Sequence, residues 1–263
     1  MIPNYMGSMP GASQFGNMAN MPTPKGRSAA RAAAIVATVL AVMYVLFNYW
    51  PLTEETAKLL VKWTDTAKTR QIISGSIIIL EYLLGLYLAK CVISMTANTA
   101  GRWAGTLLSI PRSVGIIYYG TILSYVISGS RPSRSFFFNT EGFIIGFNVG
   151  SAVLVLVAGL FFINAVRGAA RGLLSLGYFF FGLLQLAYFL LVNYGDLDYD
   201  VLLNLSHIYS ILCIVTVFII VIGYYVHLHQ YGREEQQAPY RQPYQQPYQQ
   251  PYQQPYQQPY QQP

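Results

Sequence analysis

The sequence predicts an all-α integral membrane protein, a six-helix transmembrane bundle with disordered cytoplasmic arms at both ends. Apolar residues make up 54% of the 263 residues and charged residues only 10%, against roughly 25% charged residues in an ordinary soluble domain. The mean hydropathy is +0.37 although both ends of the chain are polar, so the middle is more apolar still. Six apolar stretches approach the length of about 20 residues that crosses the hydrocarbon core of a bilayer. These observations exclude a soluble globular enzyme and a disulfide-stapled secreted domain.

The chain divides into two arms and a bundle. Residues 1–27 are polar and rich in Met, Asn, Gly and Pro, which predicts a disordered N-terminal arm. Residues 28–232 form the bundle, and in lipid such continuous apolar runs must be helices, since they lack the alternating pattern of a barrel. Residues 233–263 form the second arm. The predicted spans cover about 32–50, 72–89, 106–127, 143–166, 173–194 and 201–226.

A short helix on the outer surface is expected between the first two spans, at about 53–70. Thr53 is a good N-cap, and Glu54 and Glu55 would lie in the first turn, where negative charge is favourable. The alternative interpretation is a solvated loop helix that packs on the bundle.

The positions of Lys and Arg predict that both termini are cytoplasmic, because cytoplasmic loops carry an excess of basic residues. With the N-terminus inside, nine basic residues are cytoplasmic and six lie outside. The nine are Lys25, Arg27, Arg31, Lys90, Arg102, Arg167, Arg171, Arg233 and Arg241. The six are Lys58, Lys62, Lys68, Arg70, Arg131 and Arg134.

One intramembrane charge pair is predicted, between Glu81 in the second span and Arg112 in the third. The two spans are consecutive and antiparallel, and at 1.5 Å per residue the two Cα atoms differ in depth by only about 6 Å. Ionisable residues inside a membrane are costly and often mark ion or proton pathways. Three interpretations remain open: a pathway, a structural pair in which each charge neutralises the other, or an Arg112 side chain that snorkels alone to the membrane surface.

Small residues recur every four positions in several spans, which favours close approach of helix backbones. The fourth span has Gly142, Gly146 and Gly150, and the first has Ala33, Ala37 and Ala41. Contacts within one bundle explain such a pattern. The alternative, suggested only by the fourth span, is an interface between copies of the chain or with another subunit of a membrane complex.

The C-terminal arm repeats a Tyr/Gln/Pro unit with a period of four residues. Pro at every fourth position prevents a stable helix, so the arm is expected to be disordered with polyproline bias. Regularly spaced tyrosines suit multivalent docking to cytoplasmic proteins, with or without phosphorylation. The alternative is a repeat without a dedicated partner. The candidate docking residues are Tyr240, Tyr244, Tyr248, Tyr252, Tyr256 and Tyr260.

No catalytic residue, metal site or cofactor is predicted. Cys91 and Cys213 are interpreted as buried thiols, and His207, His227 and His229 as membrane-interface residues. No run of basic residues with interleaved aromatics is present, so no nucleic-acid partner is expected. The sequence favours a non-enzymatic protein of the lipid bilayer that organises membrane or supports vesicle trafficking. The alternatives are a small channel or transporter that uses Glu81 and Arg112, and a subunit of a larger membrane complex.

Overall fold

A computed structural model describes residues 24–49, 67–96, 98–130, 140–195 and 197–237, and these residues form six α-helices. Each helix is long and apolar enough to cross a membrane. This confirms the predicted all-helical fold with six candidate spans, and it fits a multi-pass integral membrane protein. The helices are α1 (Pro24–Tyr49), α2 (Ala67–Met95), α3 (Thr99–Ser128), α4 (Glu141–Ala165), α5 (Gly168–Tyr194) and α6 (Tyr199–Gln237).

The helices form a closed ring in chain order. Each helix packs against the next one, and α1 also packs against α6. The turns between α2 and α3 and between α4 and α5 are short, as expected for antiparallel neighbours. The Asn98 side chain stabilises two of these connections at once. Its oxygen accepts a hydrogen bond from the Gly101 amide at the start of α3, and its nitrogen donates to the carbonyls of Asn164 and Ala165 at the end of α4.

The helices are longer than the predicted spans. Helix α1 begins at Pro24, inside the expected N-terminal arm, and α6 continues to Gln237. Helix α2 begins at Ala67, so residues 67–70 belong to it and not to the expected surface helix, while residues 50–66 lie outside the described residues. Hydropathy detects only the apolar part of a helix, the part that suits the hydrocarbon core of a bilayer. The backbone hydrogen bonds continue through polar residues beyond it.

Burial divides the bundle into two halves. Among the described residues, every fully buried side chain lies in the half where α1 begins and α6 ends. We call this the packed half and the other the open half. The packed half comprises residues 24–41, 85–96, 98–115, 152–182 and 213–237, and the open half comprises residues 42–49, 67–84, 116–130, 140–151, 183–195 and 197–212.

Small residues bring the helices of the packed half into close contact. Ala33, Ala37 and Ala41 are 0%, 4% and 3% exposed, which confirms their predicted packing role. Between α4 and α5, a β-carbon added to Gly182 would lie 2.6 Å from the Leu156 backbone nitrogen. Only glycine permits two backbones to approach this closely.

Gly142, Gly146 and Gly150 do not have this role inside the chain. They lie in the open half, and a β-carbon added to any of them would meet nothing within 4 Å. This face of α4 therefore contacts no other helix among the described residues, so these glycines join no helices of this bundle. Contact with a second copy or another subunit through this face of α4 stays a prediction.

Candidate functional site in the middle of the bundle

Polar residues lie where the packed half meets the open half. In an α-helix, residues three, four or seven apart share a face. Tyr44 lies three residues after buried Ala41, and Glu81 lies four residues before buried Gly85. By the same spacing, each of the six helices has a polar residue three or four positions from a buried residue near the boundary between the two halves; Asn148 is exposed, and the other five are half-buried. We call the set the polar tier: Tyr44, Glu81, Arg112, Asn148, Gln185 and Tyr209.

Glu81 is half-buried and belongs to the inner face of α2. Gly85, Leu88 and Val92 follow it at helical spacing, and all three are buried. Its carboxylate is within electrostatic range of the Tyr44 hydroxyl on α1 and of the Tyr119 hydroxyl on α3. Glu81 therefore lies on the side of α2 that faces α1 and α3.

Arg112 extends from α3 into the same layer, one residue after the buried Pro111. Its guanidinium carbon is 5.4 Å from the centroid of the Tyr82 ring, a cation–π distance. A β-carbon added to Gly85 would lie 2.8 Å from the Arg112 Nε atom, so the absence of a side chain at Gly85 makes room for the arginine. Arg112 is also within electrostatic range of Tyr178 on α5, across the ring.

The predicted Glu81–Arg112 pair lies together at one level but is not in direct contact. Arg112 packs against Gly85, which is one helical turn from Glu81. In the part of the chain that the structure describes, no ion pair joins the two side chains. Direct pairing in a membrane stays a prediction. What the structure places here is Arg112 against Gly85 of α2, a residue one helical turn from Glu81.

Aromatic rings pack in pairs in and beside this layer. The Tyr82 and Tyr119 rings are 5.5 Å apart, and the Tyr188 and Tyr209 rings stack at 4.1 Å. The Tyr44 ring is 6.1 Å from that of Phe181 on α5. Tyrosine gives this layer rings that attract cations and hydroxyls that donate hydrogen bonds.

The buried core of the packed half lies next to the polar tier. The Tyr178 and Tyr224 hydroxyls are buried and 2.8 Å apart, within hydrogen-bond distance. The Phe162 ring stacks on Tyr178 at 5.0 Å between centroids. A hydrogen bond from the Tyr231 hydroxyl to the Met95 carbonyl ties α6 to α2 nearer the end of the bundle. The packed half therefore has a closed aromatic core next to the tier.

Glu81 and Arg112 were predicted from the sequence, whereas the other residues of this layer were not. Tyr44, Gln185 and Tyr209 are uncharged residues within apolar spans, so a search for charges passes over them. Their helical spacing from small residues was the available signal. His227 also differs from its interpretation as an interface residue. It is 9% exposed, and neither ring nitrogen has a hydrogen-bond partner among the described residues.

Comparison with protein-family models, with curated proteins and with solved structures finds no match for this chain. The six tail tyrosines, Tyr240 to Tyr260, lie outside the described residues.

Proposed function

We propose that this chain is a non-enzymatic membrane protein that organises membrane or supports vesicle trafficking, with a tail that binds several cytoplasmic partners at once. The observation that supports this is the position of the chain ends. Helix α1 begins and α6 ends in the packed half, so both arms leave the bundle at the same end. A folded anchor with two arms on one side suits contacts between a membrane and soluble proteins.

The basic residues support a cytoplasmic position for that end. Lys25, Arg27 and Arg31 lie at the start of α1, and Arg102 and Arg171 lie near the starts of α3 and α5. All of these helix ends belong to the packed half. Under the positive-inside rule these residues support an orientation with the packed half toward the cytoplasm and the open half toward the other side.

A protease experiment tests this topology. In sealed right-side-out vesicles, added protease should leave an epitope at the end of the tail intact, because the membrane protects it. After detergent lysis the same protease should remove the epitope. Loss of the epitope before lysis, in vesicles that still retain a soluble luminal marker, would reverse the orientation and remove the basis for cytoplasmic docking.

A second candidate function is a small channel or transporter that uses Glu81 and Arg112. The polar tier supports it, because each helix has a polar residue at helical spacing from its buried face and two of these residues, Glu81 and Arg112, are ionisable. Intramembrane ionisable residues that face the bundle interior are typical of substrate and ion pathways. The open face of Gly142, Gly146 and Gly150 supports a further arrangement, in which copies or other subunits assemble around this bundle.

Flux through the purified protein in liposomes tests the second candidate. We expect proton or monovalent-cation flux that Glu81→Gln abolishes, because the substitution removes the only carboxylate within the described part of the polar tier. Glu141→Gln is the matched control, since Glu141 is exposed at the start of α4. Absence of flux, or equal loss in both variants, would exclude a pathway through Glu81.

A further inference from the structure

We infer that a groove on the outer surface of α5 and α6 binds an anionic phospholipid, with the headgroup at the end of the packed half and an acyl chain toward the middle of the membrane. Binding does not depend on which end of the bundle is cytoplasmic. The groove has a volume of about 570 Å³, within the range of about 300–1,000 Å³ that is usual for small-molecule sites. Its lining residues are Ala169 at the start of α5 and Ile222, Tyr225, Val226, His229 and Gln230 on α6.

The groove faces out of the bundle. Ile222, Tyr225 and His229 are exposed, whereas Tyr224, on the other face of α6, is fully buried. Because the interior of the packed half is closed, this exposed face of α6 meets lipid when the chain is in a membrane. The Thr38 hydroxyl on α1 donates a hydrogen bond to the Tyr225 hydroxyl at 3.3 Å, which links one lining residue of the groove to α1.

The polarity of the groove changes along its length. Ile222 and Val226 lie toward the middle of the bundle, and His229 and Gln230 lie toward the end of α6. The eight residues from Ile222 to Gln230 cover about 12 Å along the helix axis. A phospholipid has the same order, with hydrocarbon toward the membrane centre and hydrogen-bond acceptors at the surface. The groove therefore fits a lipid better than a wholly apolar or a wholly polar ligand.

The charge of this end of the bundle favours an anionic headgroup. Seven basic residues near the helix ends of the packed half are exposed, and every acidic residue whose side chain the structure describes lies in the open half. Arg233, Glu234 and Glu235 follow at the end of α6. A basic residue close to a membrane surface strengthens the attraction of anionic lipid by about fivefold. The seven are Lys25, Arg27, Arg31, Lys90, Arg102, Arg167 and Arg171.

Arg167 is the basic residue assigned to the headgroup. It is exposed at the N-cap of α5, two residues before Ala169, so their Cα atoms are at most about 7.6 Å apart. A β-carbon added to Gly168 would lie 2.4 Å from the Gln230 Nε2 atom, so the Gln230 side chain packs directly beside Arg167 in the chain. A guanidinium binds a phosphate through two parallel hydrogen bonds, and the Gln230 amide adds a donor at the same place.

Native mass spectrometry of the full chain, titrated with lipids of identical acyl chains, tests the charge preference. Phosphatidylserine and phosphatidylglycerol should each bind at least about fivefold more tightly than phosphatidylcholine. Arg167→Gln should lower the affinity for both anionic lipids by about fivefold. Arg171→Gln is the matched control and should keep it, because Arg171 is exposed two residues after Ala169, about 200° around α5.

A pair of isoleucine variants tests the position. Ile222→Trp fills part of the groove and should remove the preference for anionic lipid. Ile211→Trp should keep it, since Ile211 lies about three turns earlier on the same face of α6 and outside the groove. Ile222 and Ile211 are 51% and 50% exposed, so the two substitutions add the same bulk to similar surroundings. Ile222→Phe replaces Ile222→Trp where the tryptophan variant does not fold.

The contrary results are distinct. Equal affinity for phosphatidylcholine would overturn the anionic preference. Equal losses from Arg167→Gln and Arg171→Gln, or from Ile222→Trp and Ile211→Trp, would overturn the groove as the site. Glycerophosphoserine, the soluble headgroup, should not displace bound phosphatidylserine at equal concentration, and displacement would make this a site for free anions instead. Anionic lipid binding by a protein whose tail epitope is protease-sensitive in sealed vesicles would support this inference and reject the proposed topology.

Discussion

Deletion of residues 242–263 should disperse any clusters that the protein forms in cells, while its membrane insertion and thermal stability stay unchanged. The deletion removes five of the six tail tyrosines and none of the helices α1 to α6. Linked weak sites raise apparent affinity by about 10²–10⁴ through effective concentration, so the loss of partner capture should be of that size. Fluorescence imaging of the tagged protein measures the clustering, and pull-down from cytosol measures the capture.

Single tyrosine substitutions are the matched control for this deletion. The repeats around Tyr248 and Tyr252 are identical in sequence, so Tyr248→Ala and Tyr252→Ala should each have little effect. Binding should fall step by step as more tyrosines are replaced. Clusters that persist after the deletion would move the function into the bundle, and a complete loss from one substitution would replace multivalency with a single docking site.

Glu81→Gln should destabilise the bundle, because it leaves the Arg112 charge without its opposite charge inside the membrane. The expected loss is about 2.5–3.5 kcal/mol, the cost of one charge at a helix centre on insertion scales. Arg112→Gln should cost a similar amount for the same reason. The double variant should recover part of the sum, since it leaves neither charge. Unfolding in detergent under increasing denaturant measures all four proteins as a double-mutant cycle.

The cycle has a clear contrary result. If the free energies of the two single variants add in the double variant, Glu81 and Arg112 do not interact. In that case each charge is stabilised by groups other than its proposed partner. Glu141→Gln provides the reference for removing a carboxylate at an exposed position of α4, and it should change stability by less than about 0.5 kcal/mol.

Hydropathy and length were enough to predict the six helices, because crossing a bilayer demands a long apolar run whatever the tertiary structure. The ring order and the two halves were not predictable in this way. They depend on how closely the backbones approach, and a glycine such as Gly182 looks the same in sequence as Gly146. The first contacts the backbone of α4, and the second faces open space.

The candidate site was predicted only in its charged part. Glu81 and Arg112 are conspicuous in apolar spans, but a depth estimate along two helices does not fix where their side chains turn. Direct pairing was the simplest expectation. The structure instead places the Arg112 side chain beside Tyr82 and Gly85, because the ring of Tyr82 offers a cation–π contact and Gly85 offers space.

The central claim is that the bundle is closed at the end bearing its arms and open to the polar tier from the other side. A small membrane-impermeant thiol reagent, added to sealed right-side-out vesicles, tests this most directly. In a background with Cys91→Ser and Cys213→Ser, Gln185→Cys at the tier should be labelled from outside. Ala158→Cys in the core should stay unlabelled, and Gly172→Cys at the exposed end of the packed half should be labelled only after permeabilisation. Labelling of Gly172→Cys from outside, with Gln185→Cys protected, would contradict the account.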